Sequence, residues 1–292
     1  MRPMRISQLY ATRRPVFSFE FFPPKTDAGY RALYRTIEEL KRLDPAFVSV
    51  TCHSAGQNRT KTAELVIRIQ RELGITAAAH MTCTGQTQQE LALTLAELEA
   101  AGIENVLALR GDPPRDQLDW RPVPGGFRYA SELAAFVKSR FSFTLGGGCY
   151  PEKHHQAPSF DADLANLKRK VAAGVEFLIT QLFLDNRHYF TFVERARAAG
   201  ITVPIVPGIM PMVSLHNLST AMRLSPGSET PAALEAQLAA VESDKERSLD
   251  VGVAWATAQC RELLARGAPG IHFYTLNQSP ATRRVHESLA AR

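Results

Sequence analysis

The sequence lacks most of the features that mark specialised classes of protein. Its 292 residues include only four cysteines and no C-x-x-C pair, which argues against a zinc site or a disulfide framework and favours reduced thiols. No apolar run approaches a membrane span, and the basic N-terminus has no apolar segment of the signal-peptide kind. Lysine and arginine form no long run, and the formal charge is only +5, which suits a small anionic ligand as well as nucleic acid. We therefore expect a cytoplasmic protein with no membrane, nucleic-acid or metal partner.

The chain instead alternates short apolar runs with amphipathic segments. The runs are apolar along their whole length, as parallel strands buried on both faces must be. The predicted strands are one that begins at Val16, then Ala46–Thr51, Ile75–Cys83, Asn105–Arg110, Ser142–Leu145, Glu176–Gln181, Val203–Pro207 and Gly270–Thr275. The predicted helices are Ala28–Leu43 with Asp27 as N-cap, Thr60–Leu73, Thr87–Ala101, Tyr129–Ser139, Asp161–Ala173, His188–Ala199, Leu215–Leu224, Ala232–Leu264 and Pro280–Ala290.

Eight such units predict an α/β fold, a (β/α)8 TIM barrel formed by a single domain over residues 1–292. Residues 1–15 would be an N-terminal extension or helix. The alternative is an open doubly wound sheet, but no G-x-G-x-x-G follows the first strand.

The first strand ends in a carboxylate among aromatic residues. In the stretch VFSFEFFPPK, Pro23 and Pro24 stop the strand, so Glu20 lies near its carboxyl end. Phenylalanines on either side of Glu20 predict that desolvation raises its pKa, which would keep it protonated as a general acid. The alternative is an edge-strand glutamate that faces water.

Polar side chains also follow the other predicted strands, at the end where barrel enzymes place their active sites. They are Thr51, His80, Thr82, Arg110, Asp112, Tyr150, Gln181, Tyr274 and Asn277. Several have a structural explanation too: Arg110 and Asp112 could form a salt-bridged turn, and His80 a hydrogen-bonded core histidine. Arg169 and Lys170 would either face solvent or bind a phosphate. The amide of Gln181, if buried, needs partners, and a ligand could be one.

The motifs in order resemble those of the methylenetetrahydrofolate reductase family. They are FSFEFFPPK, VSVTCHSAG…RT, AHMTC, LALRGDPP, YASEL, CYPEKH, NLKRKVAAGVEFLITQLFLD, PIVPGIMP and HFYTLN, from about Phe17 to Asn277. The chain is similar to the short bacterial type, which has no regulatory domain.

This resemblance implies a TIM barrel with non-covalent FAD that passes a hydride from NADH or NADPH to 5,10-methylenetetrahydrofolate, giving 5-methyltetrahydrofolate with ping-pong kinetics. It implies one-carbon metabolism and a homo-oligomer. Glu20 would be the general acid, Asp112 the carboxylate beside flavin and pterin, and Gln181 the contact to nicotinamide and folate in turn. The implied flavin contacts are Thr51, Cys52, Ser54, His80, Arg110, Gly111, Asp112, Ala130, Tyr150, His154, Asp163, Asn166, Arg169 and Lys170. The implied substrate contacts are Gln181, Asn217, Tyr274 and Gln278.

The sequence departs from the family at one position in this set. Gln278 stands where many relatives place an arginine that meets the glutamate tail of folate, and Arg283 or Arg284 could substitute for it. Two other hypotheses stay open: a barrel transferase or lyase that binds folate or a phosphorylated ligand without redox chemistry, and a non-catalytic binding protein.

Overall fold

Nine short strands and eleven helices alternate along the described part of the chain. The computed structural model describes residues 4–12, 15–52, 59–112 and 121–290. The strands are β1 Val16–Phe21, β2 Phe47–Val50, β3 Ala77–Thr82, β4 Asn105–Leu109, β5 Thr144–Cys149, β6 Phe177–Thr180, β7 Ile205–Val206, β8 Gly208–Ile209 and β9 Gly270–Tyr274. The helices are α1 Ile6–Thr12, α2 Asp27–Lys41, α3 Arg59–Arg68, α4 Gln88–Ala100, α5 Ala130–Arg140, α6 Phe160–Ala172, α7 Asn186–Ala198, α8 Leu215–Leu224, α9 Ala232–Ala239, α10 Lys245–Ala265 and α11 Pro280–Ala290.

The strands form a closed parallel barrel. The order of pairing is β7-β6-β5-β4-β3-β2-β1-β9-β8, and every strand pair is parallel. Only Pro207 separates β7 from β8, so the two ends of this order are halves of one extended segment. A backbone bond of 3.0 Å from His272 N to Pro207 O lies at the junction. The predicted seventh strand is therefore split in two, and the predicted (β/α)8 TIM barrel is confirmed.

The alternation of side chains divides the core into two layers. Phe19 and Phe21 on β1 face outward into the large cluster that packs the strands against the helices. Val16 on the same strand faces inward, together with Phe47 and Phe177. Since successive strand residues point to opposite faces, a strand buried on both sides reads as continuously apolar.

Helix α1 closes the amino end of the barrel. Ile6, Leu9 and Tyr10 are buried in the inner cluster, and the Tyr10 ring lies 5.8 Å from that of Phe177. Ile6 N donates to Asn105 Oδ1 over 2.8 Å. The basic N-terminal segment is therefore partly a helix, and only the carboxyl end of the barrel is left for a site.

Helix starts follow the expected capping chemistry, with one correction. Thr87 and Glu90 form a reciprocal capping box at the start of α4. The N-cap of α2 is Thr26, whose hydroxyl accepts from Gly29 N, and Asp27 is instead the first helical residue. An acidic residue is favourable there because the first turn exposes unpaired N–H groups.

Most elements agree with the sequence prediction to within two residues, and three differ by more. Strand β5 begins at Thr144 and continues through the glycines to Cys149, because Gly146 and Gly147 keep their ladder pairings with β4. The third helix ends in a π-helical turn over Ile69–Leu73. The long predicted helix after residue 231 is broken, since Asp244 caps a new helix, α10.

Within the described ranges, no helix has both the length and the low polarity that crossing a bilayer requires.

Candidate active site

The carboxyl end of the barrel collects polar side chains around Glu20. Glu20 occupies an inward-facing position on β1, and its side chain is 17% exposed. Its Oε2 lies 3.3 Å from His272 Nε2 and 3.3 Å from His80 Nε2. Ser49 donates its hydroxyl to the same oxygen over 3.4 Å. Three neighbouring strands, β2, β3 and β9, thus supply the surroundings of one carboxylate.

The pKa of Glu20 is lowered, which corrects the expectation from the sequence. Burial is the largest influence and by itself would raise the pKa. The charges of His80 and His272 and the hydrogen-bond contact with His272 together outweigh burial and lower the pKa to about 2. The phenylalanines cannot act as expected, because Phe19 and Phe21 lie on the opposite face of β1.

Two buried polar atoms beside Glu20 have no hydrogen-bond partner among the described residues. His80 is 6% exposed, and its Nε2 is close to Glu20 but not aligned for a hydrogen bond. Thr82 Oγ1, two residues further along β3, is also unpaired. Because buried polar groups are rarely left unsatisfied, these atoms indicate that a ligand completes the site.

Electrostatic contacts connect Glu20 with the turn after β4. Burial raises the pKa of Tyr150 to about 12, and the charge of the exposed Asp112 raises it further while Arg110 opposes it. Burial, followed by the charge of Glu20 and by Tyr150, raises the pKa of Tyr274. Glu20, Asp112 and the two phenols therefore share one end of the barrel.

The Arg110 turn is not the salt bridge that the sequence allowed. Arg110 Nη1 donates to Gln156 Oε1 over 2.6 Å, and the described residues contain no Arg110–Asp112 ion pair. Gly111 has a φ of +80°, and a Cβ there would approach Thr84 Oγ1 to 2.7 Å. Only glycine fits this turn, which leaves the Asp112 carboxylate exposed at the mouth.

Three ionisable side chains, Lys170, His154 and Asp163, lie between the loop after β5 and helix α6. Lys170 Nζ donates to Gly148 O over 2.6 Å, and burial lowers its pKa. His154 N donates to Asp163 Oδ2 over 2.9 Å, and burial raises the pKa of that carboxyl. Burial, with the charge of Arg110, lowers the pKa of His154 to about 4, so this imidazole is neutral near pH 7.

Arg169 and Asn166 lie on the exposed side of the same helix. Arg169 Nη1 donates to Asn166 Oδ1 over 2.7 Å. This hydrogen bond orients the guanidinium group of Arg169, which is exposed and accessible to a ligand.

The amide of Gln181 has the partners that the sequence interpretation required, and in the structure they belong to the protein. Its Nε2 donates to Leu224 O over 3.2 Å, and its Oε1 accepts from Leu182 N over 2.9 Å. Gln181 therefore connects the end of β6 to the end of α8, and it does not need a ligand to be satisfied.

Three of the expected substrate contacts line one groove. Asn217, Tyr274 and Gln278 border a groove between the start of α8 and the loop after β9. The suggested substitutes for the missing arginine pair with acidic side chains in the structure: Arg283 with Glu287, and Arg284 with Glu246 and Asp250.

Four of the expected flavin contacts remain, and the structure describes three of them. Thr51 accepts a bond of 3.0 Å from Thr62 Oγ1 at its carbonyl, Cys52 is half-buried near His80, and Ala130 is buried at the first turn of α5. Ser54 lies outside the described residues.

Sequence reasoning missed His272, Ser18 and Ser49 as parts of the site. The available signal was their period of two: Ser18 precedes Glu20 by two residues, and His272 precedes Tyr274 by two. Residues at this spacing share a face of the strand, so polar pairs within apolar strands indicate an inward polar layer.

The fold is a parallel (β/α)8 barrel, and a carboxylate in contact with two histidines lies at its carboxyl end. This is where barrel enzymes place their active sites. Residues 5–290 match the family model described as Methylenetetrahydrofolate reductase. The 5,10-methylenetetrahydrofolate reductase of Escherichia coli (strain K12) is 35% identical over 280 residues, which cover 94% of this chain and 90% of that one. The chain belongs to the methylenetetrahydrofolate reductase family.

Eukaryotic relatives are longer. Methylenetetrahydrofolate reductase 1 of Schizosaccharomyces pombe is 36% identical over 276 residues, covering 94% of this chain and 45% of its own length. The chain spans about half the length of the yeast and plant relatives that it matches.

Solved structures share the fold. A protein from Clostridium thermocellum, described as binding two copies of 5-methyl-5,6,7,8-tetrahydrofolic acid, superposes with a TM-score of 0.65 at 14% identity, covering 97% of this chain and 96% of that one. At this identity the likeness concerns the barrel alone.

Proposed function

We propose that the chain reduces 5,10-methylenetetrahydrofolate to 5-methyltetrahydrofolate with NADH or NADPH, using FAD. One observation carries the proposal: in a chain of this family, Glu20 is a buried carboxylate beside two imidazoles at the barrel mouth that Asp112 also borders. A proton donor and a fixed negative charge are the two groups that hydride transfer to a methylene-bridged folate requires.

The residues present fit FAD. The flavin would supply the hydride carrier between the two substrates. Arg110, Arg169 and Lys170 provide cations for its diphosphate, and the paired Asn166 and the Asp163 carboxylate provide polar contacts. Two further polar atoms on β3, His80 Nε2 and Thr82 Oγ1, make no hydrogen bond within the described residues and would be available to the flavin.

Glu20 would protonate the departing nitrogen of the folate five-membered ring. Opening of this ring leaves a cationic carbon, which must form before a hydride can attack. In the described structure the carboxyl of Glu20 is ionised at neutral pH, so it must take up a proton before it acts as the acid. Asp112, exposed at the mouth, would stabilise the cation through its negative charge.

The groove bordered by Asn217, Tyr274 and Gln278 would hold the folate, with Gln181 at the adjacent strand end. Nicotinamide and folate would use this face in turn, which predicts ping-pong kinetics. Since Gln278 has no charge, we expect weaker binding of the glutamate tail than an arginine would give.

The test separates the two half-reactions. Purified protein should be yellow or become so with FAD, and NADH or NADPH should bleach the flavin anaerobically. Glu20→Gln should retain this bleaching but lose at least about a hundredfold in reoxidation by methylenetetrahydrofolate, the usual size of general-acid catalysis. Glu38→Gln, an exposed change on α2, serves as the matched control.

A protein that takes up no FAD would refute the redox proposal and favour the transferase or lyase alternative. Equal loss of both half-reactions in Glu20→Gln would refute the acid role.

The proposal also includes one catalytic domain over residues 1–292, a cytoplasmic location and self-association. In the described structure none of the four cysteines forms a disulfide, as expected in a reducing compartment. Barrels of this kind commonly form symmetric oligomers. Light scattering on the purified protein tests the assembly state.

A further inference from the structure

The segment between α8 and α9, residues 225–231, is held at two points against the carboxyl end of the barrel. At its start, the amide of Gln181, which follows β6, donates to Leu224 O over 3.2 Å. Towards its end, Glu229 N donates over 2.7 Å to Oε1 of Glu152, a residue of the loop after β5. This segment, the α8–α9 connection, therefore links the loops that follow β5 and β6.

One imidazole lies between the two glutamates of this contact. His188, in the first turn of α7, places its Nε2 3.3 Å from Glu229 Oε2 and 3.6 Å from Glu152 Oε1. The side chain of Glu152 is only 9% exposed, and a carboxylate with so little access to water needs compensating partners. Nε2 can donate one hydrogen bond in either charge state, whereas protonation of Nδ1 adds a positive charge that attracts both carboxylates.

We propose that His188 is a positioning residue that closes the α8–α9 connection against the loop after β5, and that protonation of its imidazole tightens this contact. The inference rests on the proposed function, because the connection begins where the Gln181 amide is held. Histidine ordinarily changes its charge between about pH 5 and 8. The connection should therefore be held most firmly on the acidic side of this range and loosen as the pH rises.

The other charged groups around α7 have partners of their own. Asp185 is the N-cap of α7, and its carboxylate accepts from Arg187 Nε over 2.8 Å. This bond to Arg187 is the main cause of the lowered pKa of Asp185, and the charge of His188 contributes less. On α10, which packs against α7, Glu262 pairs with Arg266 over 3.2 Å. Within the described ranges, the two glutamates of the contact are thus the carboxylates that depend on the imidazole.

Hydrogen exchange of the α8–α9 connection tests the contact without flavin or folate. Mass spectrometry follows a peptide that spans residues 225–231, and each rate is divided by the intrinsic rate of an unstructured amide at the same pH. In the wild type this corrected rate should rise about threefold between pH 6 and 8, the size expected when a partly exposed ion pair is lost. In His188→Gln and in Glu229→Gln the corrected rate should already be high at pH 6 and change little with pH.

His216→Gln is the matched control. His216 is an exposed histidine on α8, the helix that leads into the connection, and its replacement should keep the wild-type profile. A corrected rate that rises with pH in His188→Gln as it does in the wild type would overturn the proposal, and so would a wild-type rate that is independent of pH. Glu229→Gln changes an exposed side chain, so it keeps the test decisive if His188→Gln does not fold.

The second experiment uses the holoenzyme and asks whether the contact positions the site. Anaerobic flavin reduction is followed at pH 6 and pH 8 with increasing NADH or NADPH, whichever reduces the wild type faster. In His188→Gln the concentration for half-maximal rate should rise about threefold at pH 6 and hardly at pH 8, with the maximal rate within about twofold, because a looser connection no longer fixes Gln181 before the nicotinamide binds.

A structural defect unrelated to the imidazole charge would alter the reaction equally at both pH values, and that result would overturn the positioning role. Absence of flavin reduction in the wild type would instead refute the proposed function. Hydrogen exchange would still decide whether His188 holds the α8–α9 connection.

Discussion

Asn277 joins the loop after β9 to the end of β1, immediately beyond Glu20. Its Oδ1 accepts from Phe22 N over 3.0 Å, and its Nδ2 donates to Phe22 O over 2.8 Å. The backbone at Leu276 and Asn277 is left-handed, with φ values of +50° and +58°. Two consecutive non-glycine residues in this region indicate that the surrounding contacts impose the conformation. We predict that removing the Asn277 side chain destabilises this end of the barrel.

The magnitude follows from two terms. Each hydrogen bond contributes about 0.5–1.5 kcal/mol net, so the pair contributes about 1–3 kcal/mol. Asparagine also tolerates the left-handed conformation better than alanine does, by about 1 kcal/mol. Asn277→Ala should therefore lower the free energy of unfolding by about 2–4 kcal/mol. Asn277→Gly loses the same bonds without the steric term and should be more stable than the alanine variant by about 1 kcal/mol.

Urea unfolding followed by circular dichroism and by fluorescence measures these differences, provided that the two transitions coincide. Reoxidation of the flavin by methylenetetrahydrofolate should slow in both variants, since the strand end that positions Glu20 is released. A loss below about 0.5 kcal/mol in Asn277→Ala, or an alanine variant as stable as the glycine variant, would refute the reasoning.

Two further predictions concern stability. The pKa of Glu20 falls from an ordinary value of 4.5 to about 2 on folding, so its contribution of about 3 kcal/mol to the free energy of unfolding is complete above pH 4.5 and lost as the pH falls towards 2. Between pH 6 and 3 the wild type should therefore lose stability more steeply than Glu20→Gln, and parallel curves would contradict this. A Cβ at Gly270 would lie 1.9 Å from Val16 O, so Gly270→Ala should separate β1 from β9 and cost more than about 3 kcal/mol or abolish folding, and soluble expression with a near-native melting temperature would contradict it.

The sequence was sufficient to predict the barrel because buried parallel strands and amphipathic helices have distinct periods. Helices α8 and α11 begin and end at the predicted residues, Leu215–Leu224 and Pro280–Ala290. The boundaries that were missed depend on tertiary contacts. The glycines of β5 are weak strand formers, and they extend the strand only because β4 and β6 pair with them on either side.

The environment of Glu20 could not be predicted from its neighbours in the chain. The adjacent phenylalanines face away, and the imidazoles that decide its pKa come from β3 and β9, which are 60 and 252 residues distant. The partner of the Gln181 amide could not be predicted for the same reason, since Leu224 belongs to α8. The sequence could predict which residues lie at the strand ends, but not which side chains meet across the barrel.

The lowered pKa of Glu20 and its proposed role as an acid are compatible because the two describe different states of the mouth. In the described structure Glu20 is 17% exposed, and water and two imidazoles stabilise its charge. A planar ligand that covers the mouth excludes that water, which disfavours the charged carboxylate. The protonated carboxyl, with the proton on Oε2, is then favoured. Glu20 would thus become an acid only when the site is filled, which keeps the proton away from solvent until a substrate nitrogen can accept it.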